Sequence, residues 1–257
     1  MNVLHQFSRN ELAIGHDGLD RLKGSTVAVL GIGGVGSFSA EALARSGVGK
    51  IVLVDKDDVD ITNVNRQIHA LLSTVGQPKV DLMAERIKDI NPECEVVALK
   101  MFYTEETYED FFSHKLDFVI DASDTISYKI HLIKECRNRS IPLISSMGVA
   151  NKLDPTRLRI EDISKTSYDP IAKVIRTRLR KDGIHKGITV VFSDEKPIQI
   201  REDIRQEIVP ESAEQGKIRK AKLPPSSNAF VPSVSGLIMA GHVITKLLDG
   251  IEINRQD

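Results

Sequence analysis

The 257-residue chain has no tryptophan, and its Phe and Tyr bring the aromatics to only 5%. A core without large aromatic rings has to be filled by aliphatic side chains, and the 41% hydrophobic fraction supplies them. Cysteine is almost as scarce. Cys94 and Cys136 cannot build a disulfide framework, and neither belongs to a Cys-x-x-Cys pair, which excludes the four-thiolate zinc sites of small metal ribbons. Neither sign of charge is in excess: 35 Lys and Arg against 36 Asp and Glu leave −1, so a nucleic-acid surface has to come from local clustering. No apolar run is long enough for a bilayer, since the most apolar late stretch, 236–248, is short and carries His242 and Lys246. Arg9 and Glu11 fall where a signal peptide needs an apolar centre, so a reducing, cytoplasmic setting is expected.

What is present is alternation. Short β-branched or apolar runs at 26–30, 50–54, 95–99, 117–120 and 141–145 read as strands covered on both faces. Between them, 35–46, 79–90, 105–113 and 125–139 have helical spacing; Val80, Met83, Ala84, Ile87 and Ile90 trace one apolar stripe. The expected fold is α/β: a Rossmann-like, doubly wound, mostly parallel sheet with helices on both faces. Residues 1–150 form its nucleotide-binding domain, and 151–257 an α+β extension. In the extension, 157–163 and 188–192 read as strands, 171–181 as a basic amphipathic helix, 201–228 as a long loop or mobile crossover, and 233–248 as a final packing helix.

Gly31-Ile-Gly33-Gly34-Val-Gly36 follows the first strand and opens the first helix. Backbone N–H groups and the positive helix end there favour a phosphate. Asp55 ends the second strand nineteen residues past Gly36, the place for a carboxylate that accepts from ribose hydroxyls. A dinucleotide oxidoreductase would satisfy both observations.

The run Asp55-Lys-Asp57-Asp58-Val59-Asp-Ile-Thr-Asn63-Val-Asn65-Arg66-Gln67, then Gly76-Gln-Pro-Lys79 and Asp121-Ala-Ser-Asp124, goes beyond that need. With the glycine turn, these ordered motifs resemble the ubiquitin-activating-type adenylating enzymes, which bind ATP and activate a carboxylate as its acyl adenylate. A carboxylate attacking an α-phosphate approaches an anionic centre, so cations must offset the charge that builds there. Arg66, Lys79 and Asn63 match the family positions that supply two charges and an amide, and Asp124 the position that would hold Mg²⁺, a hard ion suited to oxygen ligands. Taken singly, Arg66 or Lys79 reads equally well as a solvated helix-face residue, and Asp121 as a cap or orienting group. Phe7-Ser-Arg9-Asn-Glu-Leu12 resembles the family's N-terminal helix, whose Arg enters the neighbouring subunit's site. That resemblance implies a homodimer with Arg9 acting in trans.

Within this superfamily, Asn65-Arg-Gln-Ile-His69-Ala-Leu71, Ile90-Asn-Pro-Glu-Cys94, Asp154-Pro-Thr156 and Ile163-Ser-Lys-Thr-Ser-Tyr-Asp169-Pro170 closely resemble the bacterial tRNA threonylcarbamoyladenosine dehydratases. The resemblance implies ATP-dependent cyclisation of a modified adenosine beside the anticodon, with an acceptor inside the substrate and no thiol relay. It also implies Mg²⁺ but no zinc, and it leaves room for a sulfur-relay partner protein. Each cysteine then reads as buried filler in preference to a nucleophile. The other members activate the C-terminus of a ubiquitin-like sulfur carrier, and that activity stays open as the alternative. For RNA, Lys173, Arg176, Arg178, Arg180, Lys181 and Lys186 make one basic cluster, and Lys217, Arg219, Lys220 and Lys222 a second; a solvated helix face is the competing reading. His69 borders the Arg66 motif and reads either as a site group or as structural.

Overall fold

The computed structural model describes residues 4–208 and 225–253. One seven-stranded sheet runs through it in the order β3-β2-β1-β4-β5-β7-β6. The strands are β1 (Thr26–Leu30), β2 (Lys50–Val54), β3 (Glu95–Leu99), β4 (Phe118–Asp121), β5 (Leu143–Ser146), β6 (Leu158–Asp162) and β7 (Thr189–Ser193). All pairings are parallel except β6 with β7. The helices are α1 (Ser8–Lys23), α2 (Gly36–Ser46), α3 (Lys79–Ile90), α4 (Tyr108–Phe112), α5 (Ile126–Asn138), α6 (Pro170–Lys181), α7 (Glu202–Ile208) and α8 (Val231–Leu247).

The alternation of side chains along each strand sends every second residue to one face. Val27 and Val29, with Ile51 and Leu53, face α2, α3 and α8 in the largest core cluster. Ala28 and Leu30, with Val52 and Val54, face α4 and α5. A third cluster joins α5 and α6 to Val190 and Phe192. The sheet therefore carries helices on both faces, as the apolar runs imply.

Element ends differ from the sequence pattern for local reasons. Pro142 has no N–H to give a ladder, so β5 begins at Leu143, and the Pro142 carbonyl accepts from Val119 at 2.9 Å. Helix α4 is shorter than 105–113 because threonines bind the chain ahead of it: Thr104 N–H donates to the Thr107 hydroxyl at 3.0 Å. The segment 201–228 is not wholly a loop. Glu202 and Asp203 in a first turn favour a helix start, and α7 occupies its beginning.

The sheet continues across residue 150, with β7 beside β5. Helix α8 returns to α2, where a Cβ on Gly236 would stand 2.2 Å from the Val35 carbonyl oxygen and Ser39 Oγ donates to the Gly236 carbonyl at 2.9 Å. That close crossing ties the end of the chain to the helix that the glycine turn opens.

Candidate functional site

The strand order reverses between β1 and β4, and open α/β sheets form their crevice at that point, outside the C-terminal strand ends. The glycine turn lies there and tolerates little else. Gly31 has φ +89°, and a Cβ on it would stand 2.7 Å from the Ala122 carbonyl oxygen; one on Gly36 would stand 1.8 Å from the Gly31 oxygen. At Gly33 the nearest heavy atom to such a Cβ would be Gln67 Nε2 at 3.9 Å, so this part of the turn is open to a ligand. Asp55 pins the turn: its Oδ2 accepts from Ile32 N–H at 2.7 Å and its Oδ1 from Asp57 N–H at 2.9 Å. Each oxygen keeps a lone pair.

Arg66 lies over the turn, its Cγ 3.2 Å from where a Gly34 Cβ would be. Its Nη1 donates to the Thr62 carbonyl at 2.8 Å and to Asn65 Oδ1 at 2.9 Å, and burial lowers the pKa of the guanidinium from its ordinary value. Asn63 is buried in a capping box, its Oδ1 accepting from Asp60 N–H at 3.0 Å. Lys79 opens α3 with its side chain buried and its Nζ 3.6 Å from Asp57 Oδ2; Lys56 meets the other oxygen. Backbone bonds from Val59 to Gln77 and from Lys79 to Asp57 sew the two motifs together. Asp57, whose role the sequence leaves uncertain, stands between two ammonium groups.

The two carboxylates of the Asp121–Asp124 motif have separate surroundings. Asp121 is fully buried and accepts from Ser123 N–H (3.1 Å), Ser123 Oγ (2.7 Å), Ser145 Oγ (2.6 Å) and Lys129 Nζ (3.0 Å). Asp124 is exposed, with the Thr125 hydroxyl at 3.2 Å. An exposed carboxylate with unused lone pairs fits a hard divalent cation, whereas Asp121 has its acceptors filled. Lys129 was not legible as a site residue: its one signal is a lysine set among Ile126, Ile130 and Ile133 on a helix that faces the core.

Two more buried groups lie in the Arg66 motif. Gln67 Oε1 and both ring nitrogens of His69 have no hydrogen-bond partner. Burial, with Lys79 and Arg86 nearby, lowers His69 to about 4. Both cysteines are buried, and burial raises Cys94 to about 11 and Cys136 further still, so neither is a thiolate at neutral pH.

Arg9 is exposed in the first turn of α1. In the first basic cluster, Lys173, Arg178, Arg180, Lys181 and Lys186 are exposed. Arg176 departs from the expectation of an RNA contact. Its Nη1 donates to the Ile163 carbonyl at 3.2 Å, to the Thr166 carbonyl at 3.3 Å and to the Thr166 hydroxyl, which staples the turn before α6. The second cluster, Lys217 to Lys222, lies outside the described residues. Among the described residues, no group of three or more His, Cys, Asp or Glu is placed to hold a metal, and no helix is long and apolar enough to cross a membrane.

A glycine turn, a strand-end carboxylate and two cations at a switch point define a nucleotide-binding α/β protein, and the chain belongs to the ThiF family, whose model matches residues 7–256. It is 76% identical over 253 residues to the tRNA threonylcarbamoyladenosine dehydratase of Bacillus subtilis (strain 168), with 98% of each chain covered. The Escherichia coli (strain K12) protein of the same name is 38% identical over 91% of this chain and 90% of its own. The structure superposes on that of the E. coli tRNA N6-threonylcarbamoyladenosine dehydratase, TcdA, in complex with ATP. The TM-score is 0.83 at 35% identity, covering 95% of this chain and 94% of that one. The E. coli sulfur carrier protein ThiS adenylyltransferase is 32% identical over only 58% of each chain, so carrier activation is not favoured.

Proposed function

We propose that this protein is an ATP-dependent tRNA threonylcarbamoyladenosine dehydratase. It adenylates the threonyl carboxylate of the modified adenosine beside the anticodon; an atom of the same side chain then displaces AMP and closes a five-membered ring, for a net loss of water. The full-length identity to the B. subtilis dehydratase carries this reading.

The chemistry fits the residues present. A carboxylate is already ionised at neutral pH and needs no base to attack, so the work is orientation and charge neutralisation. Arg66 and Lys79 offset negative charge building on the phosphoryl oxygens, the open turn at Gly33 receives phosphate, and Asp55 takes the ribose hydroxyls. Mg²⁺, held by Asp124, would offset further charge on the phosphates. With an intramolecular acceptor no thioester is required, which agrees with two buried, protonated thiols. A homodimer in which Arg9, exposed in the first turn of α1, completes the neighbouring site belongs to the same proposal, as do a cytoplasmic location and an assisting sulfur-relay protein.

The test is to incubate the purified protein with ATP, Mg²⁺ and bulk tRNA carrying the modified nucleoside, then to weigh the digested nucleosides by mass spectrometry. Loss of one water, dependent on ATP and abolished by Asp124→Ala, is expected. No mass change, with pyrophosphate exchange only when a ubiquitin-like protein is added, would move the assignment to carrier activation.

A further inference from the structure

Tyr168 is one of three aromatic residues, with Phe102 and Phe230, that the described structure leaves largely exposed, and among them it has a left-handed backbone. Its ring is 59% exposed, and its backbone has φ +52°, a left-handed conformation that a bulky residue adopts only when its surroundings impose it. Both sides of it impose it here. Before it, Arg176 holds the 163–166 turn. After it, the buried Asp169 carboxylate accepts from Ala172 N–H at 2.9 Å to cap α6 and from Gly148 N–H at 2.9 Å. The chain thus fixes an aromatic ring outward with no apolar burial to offset the strain.

The ring is not alone. Lys196 Nζ lies 5.6 Å from its centroid, within cation–π range. The two rim an open cavity of about 500 Å³ whose other walls are Asp154, Arg157, Asp194 and Glu195. Those acids are already engaged. Arg157 and Arg159 both pair with Asp194, the latter at 2.6 Å. Glu195 accepts from Leu153 and Asp154 N–H at 3.1 and 3.0 Å, and Asp154 from Thr156 N–H at 2.9 Å. The cavity therefore combines an exposed ring with arginine and lysine, and no carboxylate in it lacks a donor.

Its place in the fold is informative. β5 and β7 run parallel to β1 and β4, so Gly148, beside Asp169, and Lys196 follow strand ends on the same sheet edge as Gly31 and Asp124. Lys173, five residues past Tyr168, begins the exposed basic row of α6. A flat ring, a cation over it and a basic track are what an unpaired nucleotide requires, because every base has a stacking face and every linkage an anionic phosphate.

We propose that Tyr168 and Lys196 form a stacking platform for an unpaired base of the RNA substrate, flanking the nucleoside that reacts, with Lys196 and the exposed α6 row supplying its phosphate contacts. This rests on the dehydratase reading above. Stacking is insensitive to salt, whereas phosphate contacts are not, so the two components separate experimentally.

The experiment measures binding of tRNA carrying the modified nucleoside to the full chain across a salt series, alongside turnover and ATP affinity. Tyr168→Ala is expected to weaken tRNA binding about tenfold at every salt concentration, the order found for one stacked base. Tyr168→Phe should stay within about twofold, and neither variant should change ATP affinity or the unfolding midpoint. Lys196→Gln should flatten the salt dependence. Undiminished tRNA affinity in Tyr168→Ala, from a wild type that dehydrates tRNA, would overturn the platform and leave the enzyme reading intact. A matching loss of ATP affinity or stability would likewise overturn it, as a structural role. A wild type that leaves the nucleoside mass unchanged would overturn the dehydratase reading, and the platform with it.

Discussion

A histidine without a proton acceptor or donor sits next to Lys79, and its protonation is coupled to the stability of the fold. His69 has a pKa of about 4 in the folded chain against 6.5 ordinarily, because burial and two nearby cations disfavour the imidazolium. Between those values the unfolded chain holds a proton that the folded chain refuses, so stability present above pH 6.5 is lost as pH falls toward 4. The effect by pH 4.5 is roughly 2.5 kcal/mol. His69→Gln removes this titration, so urea unfolding from pH 7 to 4.5 should show a smaller acid loss than in wild type by about that amount. Equal losses in the two proteins would assign the acid sensitivity to other groups. The same scale shows why residue type alone was ambiguous at Asp121 and Asp124. Both are acids three positions apart, but one faces Lys129 and Ser145 inside the sheet and the other faces solvent.

Helix α6 illustrates what an element decides. Ala172, Ile175 and Leu179 face the core, which turns Lys173, Arg180 and Lys181 outward. Replacing those three by Glu should weaken tRNA binding tenfold or more at low salt and reduce the salt slope, with ATP binding unchanged, in a filter-binding series. Arg176 belongs to a different outcome. Its guanidinium bonds the 163–166 turn, so Arg176→Ala should cost about 1–3 kcal/mol in urea unfolding. A large loss of RNA affinity at unchanged stability would return it to the binding surface. Basic residues at helical spacing were legible from the sequence; which one turns back to its own backbone was not, because that depends on where the preceding turn lies.

At the scale of the molecule, the sheet brings the parts together but leaves Arg9 on the outside. If Arg9 serves the neighbouring subunit, Arg9→Ala and Lys79→Ala chains should complement one another. In an equal mixture half the dimers are hybrid, and one of the two sites in each hybrid is intact, so about a quarter of wild-type turnover should return. Turnover no higher than the average of the two pure variants would mean that each subunit works with its own residues. The glycine turn was foreseeable, since residues adjacent in the chain announce it; the order of strands across the sheet and the backbone bonds that join the Asp57 and Lys79 motifs were not, since they link residues well separated in the chain.

Short-range information determined the α/β class, the order of strands and helices, and the phosphate-binding turn. Side-chain alternation, the steric freedom of glycine and motif spacing all act over a few residues, so they are written in the sequence itself. The tertiary structure alone decided that Lys129 closes on Asp121, that α8 packs across α2, and that Lys196 reaches the ring of Tyr168. The α8–α2 and Lys196–Tyr168 contacts join segments well separated in sequence, whose approach is set by strand order and core packing, while Lys129 reaches Asp121 across eight residues only because α5 turns back beside the end of β4.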